Sequence, residues 1–400
     1  GINAEYGDME EIKLNHYEYL LTFFCDSLGV EIEEKFEPEI DLAWQQLNQA
    51  YPILSGQIED HSITFKTEPN QVLKLNLSKK EHFSAVSCLV QESVVQIRQN
   101  PKKFSLLTFS TINNKLQIVM NLNHSYSDQV SSILLMNEFL RLLKHEQLKN
   151  YSLSTLSNKN YTIPSECNEL SKDNILKFQF KTQEPDQQVN KSFVTIIDKL
   201  KFQNILKQIK QKQIGLQALL WTANAIAWLR HVEHSDNDIV FQCPINRRNC
   251  IGVGQCIGLL VEPMFIRIRL SQFDNPIEAV QLLTKLIKEE FGLNKQQYSE
   301  FRFLTFGEGK MQLLTPSIFS SSTGASCKIE DIIPVSDTSF LGTFVYPAQI
   351  QRDSRVIFGL HAYEVQGSLA CNWSVSPNAD NSQREAVLNE FIKVLQEIVE

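Results

Sequence analysis

One short polar segment between two apolar patterns does most to constrain how this chain folds. Residues 116–122 have the composition of a half-buried strand, and apolar side chains recur at helical spacing from residue 130 to residue 143. His124 and Asp128 lie between the two patterns. A histidine at such a junction can face a cleft and accept a proton near neutral pH, and a carboxylate four residues on suits the first turn of a helix. Taken alone, the segment is better explained by a strand-end histidine and an ordinary helix cap.

The order of the other patterns predicts a protein of mixed helices and strands. In the first part of the chain we expect helices over residues 14–28 and 40–47, a strand entered near residue 53, and a hairpin over residues 104–122 that turns at Asn113 and Asn114. Farther along, the predicted strands cover residues 193–197, 239–243, 259–270, 356–363 and 368–374, and the predicted helices cover residues 201–212, 216–229, 276–291 and 382–398. The serine-rich residues 315–326 predict a mobile surface loop.

A chain of 400 residues is too long for a single small core and indicates two lobes. Residues 151–190 are polar and lack periodicity, so we expect a linker or crossover there. This places an N-terminal lobe over residues 1–150 and a C-terminal lobe over residues 191–400. A long loop inside one domain is the alternative.

Composition excludes several classes of function. A formal net charge of −8 argues against a nucleic-acid partner, and no apolar stretch is long enough to predict a membrane span. The N-terminal residues are acidic and polar, unlike a secretory signal. Eight scattered cysteines indicate reduced thiols, and Cys250 with Cys256 lack partners for a metal site. We therefore expect a cytoplasmic protein that binds no metal.

Several separated segments, in the same order, resemble the chloramphenicol acetyltransferase-like superfamily, whose members transfer acyl groups from coenzyme A or carrier proteins. His124 to Asp128 matches the HxxxD signature of that superfamily. Residues 44–58, 198–228, 245–248 with 257–261, and 336–342 resemble its other conserved segments, so the likeness spans nearly the whole chain. The resemblance implies an α/β fold of α+β two-layer sandwiches, with two pseudo-duplicated lobes and a tunnel at their interface.

The resemblance also implies an activity, namely transfer of an acyl group other than aminoacyl from a thioester to the hydroxyl or amine of a small-molecule acceptor in natural-product biosynthesis. His124 would act as general base in a direct ternary complex. The partners would be the acceptor and either acyl-CoA or an acyl carrier protein. No cofactor would be permanently bound, because the CoA or phosphopantetheinyl acyl donor is a substrate.

Further site residues follow from the same resemblance. Asp128 would be structural and would pair with an arginine of the second lobe, for which Arg248 is the first candidate and Arg247 the second. Candidates for the oxyanion donor or the tunnel wall, each of which is also explained as a loop or core residue, are Ser336, Thr338, Ser339, Asn372 and Trp373.

Departures from the family pattern leave two alternatives open. Asn123 stands where condensation domains carry a second histidine, and Gln129 stands where the family often has glycine. The DFGWG motif of the plant enzymes is absent. One alternative is a free-standing condensation enzyme of nonribosomal peptide synthesis. The other is a catalytically silent member that binds a partner, an alternative that Gln129 keeps open.

Overall fold

The computed structural model describes most of the chain. The described residues are 10–15, 18–19, 21–66, 68–70, 72–76, 89, 92–93, 96–97, 99–156, 168–169, 176, 178–179, 191–293, 301–302, 304–307, 310–313, 318–323, 339–345, 356–365, 367–375 and 381–400.

The N-terminal lobe is built on a five-stranded sheet. Its strands and helices, with the small strands beside them, are β1 (Glu11–Lys13), β2 (Cys25–Glu33), α1 (Ile40–Ala50), β3 (Gly56–Glu59), β4 (Ser62–Phe65), β5 (Val72–Lys74), β6 (Ser105–Ile112), β7 (Lys115–Asn123) and α2 (Gln129–Leu143), with 3-10 turns at Leu21–Phe23, Glu34–Glu39, Pro52–Ser55 and His124–Tyr126. Strands β1, β4 and β3 form a separate small sheet. Helices α1 and α2 pack against each other, and their apolar faces join the sheet in one buried core.

The C-terminal lobe is built on a six-stranded sheet in the order β10-β20-β19-β17-β12-β13. Its elements are β8 (Asn168–Glu169), β9 (Phe178–Gln179), β10 (Lys191–Ile197), α3 (Lys199–Lys212), α4 (Leu216–His231), β11 (Glu233–His234), β12 (Ile239–Asn246), α5 (Arg248–Ile251), β13 (Val261–Ile268), α6 (Pro276–Leu293), β14 (Phe301–Arg302), β15 (Leu304–Gly307), β16 (Lys310–Leu313), β17 (Ile318–Thr323), β18 (Ser339–Val345), β19 (Val356–Val365), β20 (Ser368–Val375) and α7 (Asn381–Val399), with a 3-10 turn at Leu270–Phe273. Helices α3, α4, α6 and α7 pack together with this sheet around a second buried core.

One strand connects the two lobes. Strand β18 belongs to the C-terminal half of the sequence, yet it pairs antiparallel with β2 along Ser339–Val345 and completes the five-stranded sheet in the order β18-β2-β7-β6-β5. The same strand contacts β19 and β20 of the other sheet. The expected boundaries at residues 150 and 190 remain predictions, and a division at those boundaries leaves part of the N-terminal sheet in the C-terminal segment.

The predicted hairpin and the helix that follows it are confirmed. Strands β6 and β7 pair antiparallel, and the turn residues Asn113 and Asn114 both have positive φ, of 52° and 62°. Asparagine tolerates this left-handed conformation better than most residues, which is why the pair was a turn signal.

Two other predictions are wrong. Residues 25–28 belong to strand β2 and not to a helix, and residues 318–323 form a strand inside the six-stranded sheet and not a surface loop.

The reasons for these two errors differ. In β2, Leu28, Val30 and Ile32 alternate with residues of the opposite sheet face, a period-2 pattern that the apolar residues before Cys25 masked. Strand β17 lies between β12 and β19 and is parallel to both, so its structure depends on backbone pairing with residues that are distant in sequence. Among the described residues, no helix is both long and apolar enough to cross a bilayer.

Candidate active site

The His124 segment is a tight turn held by backbone contacts on both sides. Strand β7 ends at Asn123, and the 3-10 turn His124–Tyr126 leads into helix α2. The Asn123 side chain caps this turn by accepting a hydrogen bond from the Ser125 N–H at 3.0 Å. The His124 N–H donates to the Phe24 carbonyl at 3.0 Å. The histidine is therefore fixed at the start of the segment, and its side chain is buried.

The hydrogen bonding of the His124 ring determines its tautomer. Its Nδ1 lies 2.6 Å from the Ser127 carbonyl oxygen. A carbonyl oxygen only accepts, so Nδ1 carries the proton and donates it. In the neutral ring, Nε2 is then the nitrogen that carries the lone pair. This is the arrangement that a general base requires.

Asp26 lies beside His124, and the sequence interpretation missed it. It lies on β2, is buried, and places Oδ2 3.3 Å from the His124 Nδ1. Burial opposes a charged imidazolium, but the Asp26 carboxylate and the Ser127 carbonyl outweigh that effect and raise the pKa of His124. The signal that could have found Asp26 was its place in the alternating stripe with Leu28, Val30 and Ile32, where a carboxylate is out of pattern.

The ion pair expected between Asp128 and Arg248 is present and joins the two lobes. It is bidentate, with Arg248 Nη1 2.8 Å from Asp128 Oδ2 and Nη2 2.8 Å from Oδ1. The Arg248 guanidinium also donates from Nε and Nη2 to the Cys256 carbonyl, at 3.1 and 2.9 Å. Planar guanidinium groups suit this two-point contact with a carboxylate.

Backbone groups complete the coordination of Asp128. Its Oδ1 caps helix α2 by accepting from the Ser131 N–H at 2.9 Å, and its Oδ2 accepts from the Leu260 N–H at 3.1 Å. Burial favours the neutral acid, but Arg248 and these N–H donors outweigh it and hold the pKa of Asp128 below its usual value. Asp128 is therefore a charged and well-satisfied structural anchor next to the His124 turn.

Ser131 extends this anchor to Gly258 of the other lobe. The Ser131 hydroxyl donates to the Gly258 carbonyl at 3.0 Å and accepts from the Gly258 N–H at 2.9 Å. Gly258 has a φ of +155°, and a Cβ there would lie 1.7 Å from the Ser154 carbonyl oxygen. Only glycine therefore fits this position, where the chain of one lobe passes directly against the other.

Gln129 makes a second contact between the lobes. Its amide Nε2 lies 2.6 Å from Nδ1 of His361 on β19. An amide nitrogen donates, so Nδ1 accepts and the proton of the neutral ring is on Nε2. Burial lowers the pKa of His361 to about 4, which keeps the ring neutral near pH 7. Gln129 is thus hydrogen-bonded to a second buried histidine, which sequence reasoning did not single out.

The remaining predicted site residues lie in different places. Ser336 and Thr338 are outside the described residues. Ser339 begins β18 and is opposite Glu31 of β2. In the six-stranded sheet, Asn372 is the register partner of His361.

Trp373 belongs to the C-terminal core. Its indole N–H donates to the Asn224 side chain at 2.9 Å, and its ring packs edge-on against Phe391. These neighbours lie on helices α4 and α7. The described contacts of Trp373 are therefore those of a packing residue.

A pocket of about 310 Å³ lies beside the His124 turn in the N-terminal lobe. Its walls include Phe24 and Asn123, which flank the turn, together with Phe104. Lys102 and Lys103 also line it. Among the described residues, no group of three His, Cys, Asp or Glu side chains is arranged to hold a metal ion.

Comparison with solved structures identifies the fold. No family model and no curated protein sequence matches the chain. Solved structures do match over nearly the full length. Polyketide synthase associated protein 5 of Mycobacterium tuberculosis has a TM-score of 0.65 and 11% identity, with 96% of this chain and 98% of that chain covered. TRI101 of F. graminearum, solved with coenzyme A and deoxynivalenol, has a TM-score of 0.61 and 12% identity, with 94% and 99% covered.

A third similar structure is the condensation domain of the monacolin K polyketide synthase MokA, with a TM-score of 0.58, 10% identity and 98% of both chains covered. The structures share the chloramphenicol acetyltransferase-like fold, and this chain has the same fold. The fold prediction made from the sequence resemblance is thereby confirmed. At such low identities the likeness establishes the fold and leaves the reaction to be argued from the site.

Proposed function

We propose that this protein is an acyltransferase that moves an acyl group from a CoA or carrier-protein thioester to a hydroxyl or amine acceptor, with His124 as general base. The observation that carries the proposal is the 2.6 Å contact between His124 Nδ1 and the Ser127 carbonyl oxygen, because it leaves Nε2 as the proton acceptor.

The contacts around the turn support the same assignment. The Asp128–Arg248 pair anchors the segment that follows His124, and it connects that segment to the second lobe. An anchored base loses little entropy on reaching its working geometry, which favours proton transfer from a bound acceptor. TRI101, a structural neighbour with the same fold, was solved with coenzyme A, which supports a thioester donor here.

The proposed reaction is a direct transfer. His124 Nε2 takes the proton from the acceptor as its oxygen or nitrogen attacks the thioester carbonyl carbon. The tetrahedral intermediate collapses, the carbon–sulfur bond breaks, and the departing thiolate receives the proton from the imidazolium. Asp128 and Arg248 take no part in proton transfer and keep the turn in place.

A condensation enzyme that forms amides is the second candidate. The observation that favours it is the full-length structural match to the MokA condensation domain. The two candidates use the same base and differ in the acceptor, which is an amine on a second carrier protein for condensation. Supplying carrier-bound or free acceptors therefore separates them.

Thiol release tests the proposal. The full chain is incubated with CoA thioesters of increasing length, and separately with acylated carrier protein, in the presence of pooled alcohols and amines. Free thiol and acylated products are measured by absorbance and mass spectrometry. We expect His124→Ala to lower the rate by about 10²- to 10⁴-fold. His145→Ala removes an exposed histidine paired with Glu39 and serves as the matched control.

Equal rates for His124→Ala and the parent protein would remove the base assignment. If neither protein releases thiol from any donor above the uncatalysed rate, the catalytically silent alternative is supported and the acyltransferase proposal is contradicted.

A further inference from the structure

Asp26 occupies a position where a carboxylate is costly. Side chains alternate along β2, and Asp26 shares its sheet face with Leu28, Val30 and Ile32, which lie in the N-terminal core. Its exposed fraction is 2%. A buried carboxylate needs a partner of opposite charge or several hydrogen-bond donors, because burial removes its hydration.

The described contacts of Asp26 are directed to the His124 turn. Oδ2 is 3.3 Å from His124 Nδ1 and accepts a hydrogen bond from the Ser127 hydroxyl at 3.4 Å. Oδ1 is buried and has no hydrogen-bond partner among the described residues. The Nδ1–H of His124 therefore lies between two acceptors, the Ser127 carbonyl and the Asp26 carboxylate.

Two other titratable groups that contact this segment do not fill this role. Asp128, at the start of α2, is neutralised by Arg248 on α5. His361 on β19 accepts a hydrogen bond from Gln129, and its ring stays neutral near pH 7. Asp26 is thus a carboxylate beside the ring that has no other counter-charge nearby among the described residues. A protonated His124 is the cation placed to balance it.

The geometry points to Asp26 as a positioning residue for the acyl transfer proposed above. Its carboxylate holds the Nδ1–H of His124, which keeps Nε2 as the proton acceptor, and it stabilises the imidazolium once the acceptor proton has arrived. The inference rests on the proposed function for its catalytic meaning. No proton moves to Asp26, since the proton that Nε2 takes from the acceptor later passes to the departing thiolate.

Burial raises the pKa of Asp26, the interaction with His124 opposes that rise, and the effect of Asp26 on His124 agrees with the positioning role. The Asp26 carboxylate is a main cause of the raised pKa of His124, after burial, which acts in the opposite direction. A raised pKa makes the neutral ring a stronger base, so removal of the charge weakens proton abstraction in the transition state.

Titration of His124 by NMR tests the pair without any substrate. The full chain is labelled with ¹⁵N and ¹³C in histidine, and the His124 signal is assigned by its loss in His124→Gln. The variants are Asp26→Asn, Asp26→Glu and Asp238→Asn. The last removes a carboxylate charge at the Asp238–Arg267 pair and is the matched control.

We expect the wild-type midpoint to lie above the ordinary histidine value of about 6.5, with Nδ1 protonated in the neutral ring. The midpoint falls in Asp26→Asn, is partly restored in Asp26→Glu, and is unchanged in Asp238→Asn. An unchanged midpoint in folded Asp26→Asn overturns the inference. Should that variant not fold, a wild-type midpoint at or below the ordinary value, or a neutral ring protonated at Nε2, overturns it equally.

Kinetics then separate this inference from the proposed function. With active wild type, Asp26→Asn is expected to lower kcat on the order of tenfold to a hundredfold and to move the acidic limb of kcat/KM to lower pH. Unchanged kcat and an unmoved limb overturn the positioning role. A wild type that transfers no acyl group overturns the proposed function, while the titration still decides the pairing of His124 with Asp26.

Discussion

Gln129 and His361 form a direct hydrogen bond between the lobes, 2.6 Å from amide nitrogen to Nδ1, at the residue that follows Asp128. The His361 ring is neutral because burial lowers its pKa to about 4. At pH values between about 4 and the pKa of His361 in the unfolded chain, the ring binds a proton in the unfolded state and not in the folded state. The contribution of His361 to stability is therefore present near neutral pH and is lost as the pH falls.

This relationship predicts a pH-dependent difference for His361→Phe, which removes the titrating group. Wild type should lose up to about 3 kcal/mol of unfolding free energy relative to the variant as the pH falls from about 6.5 to 4. Chemical denaturation of both proteins across this range measures the difference. A wild-type-minus-variant value that does not change with pH would contradict the neutral, buried ring.

Glu18 should show the opposite dependence. Its carboxyl is buried, and this burial raises its pKa to about 7, although the Asn15 N–H partly opposes the shift. The folded state then holds a proton that the unfolded state releases, so stability falls as the pH rises from 4.5 to about 7. Glu18→Gln keeps an oxygen for the Asn15 N–H and should be more stable than wild type by about 3 kcal/mol at pH 8, with little difference at pH 4. Equal stabilities at pH 8 would refute the shift.

The Asp128–Arg248 pair predicts strong coupling between two substitutions. Asp128→Asn leaves a buried guanidinium without its counter-charge and should lower the unfolding free energy by about 3–5 kcal/mol. Arg248→Ala should cost a similar amount, and the double variant should cost much less than the sum. Asp238→Asn, at a partly exposed pair with Arg267, should cost below about 1 kcal/mol. Additive losses at Asp128 and Arg248 would show that the contact does not anchor the His124 turn.

Two glycines of one loop should respond very differently to alanine. A Cβ at Gly258 would meet the Ser154 carbonyl oxygen at 1.7 Å, whereas a Cβ at Gly254 would meet nothing within 4 Å. Gly254→Ala should therefore cost only the left-handed backbone penalty, about 1–2 kcal/mol. Gly258→Ala should cost more than about 4 kcal/mol or prevent folding. Thermal unfolding of both variants measures the contrast, and similar losses would argue against the close approach of the two segments.

The raised pKa of His124 predicts the direction of the pH–rate profile. Only the neutral ring can accept a proton, so kcat/KM should fall as the pH decreases through the His124 pKa. The midpoint should lie above the ordinary histidine value of about 6.5. Initial rates across the range from acid to mildly alkaline pH provide the measurement. A rate that stays constant well below the ordinary value would be incompatible with His124 as base.

Local patterns were sufficient to predict much of the fold and the position of the His124 turn that is proposed as the centre of the site. The hairpin at Asn113 and Asn114, helix α2 and the cap at Asp128 depend on neighbours within a few residues, so their signals are visible in the sequence. Arg248 was reached only through the family resemblance, because 120 residues separate it from Asp128.

The parts that were missed depend on contacts between distant residues. Asp26 was hidden by the interpretation of residues 14–28 as a helix, although its place in the β2 stripe was a usable signal. The bond between Gln129 and His361 needs both lobes in place, and neither residue shows its partner locally. The serine-rich strand β17 acquires its conformation from β12 and β19, so its own composition was misleading.

Strand β18 has a consequence for how the N-terminal sheet depends on the C-terminal half of the chain. Because β18 is hydrogen-bonded to β2 while its sequence belongs to the other half, separating β18 from β2 would break a ladder of seven residue pairs. A truncated protein ending before β18 would leave β2 as a bare sheet edge, open to intermolecular pairing and aggregation.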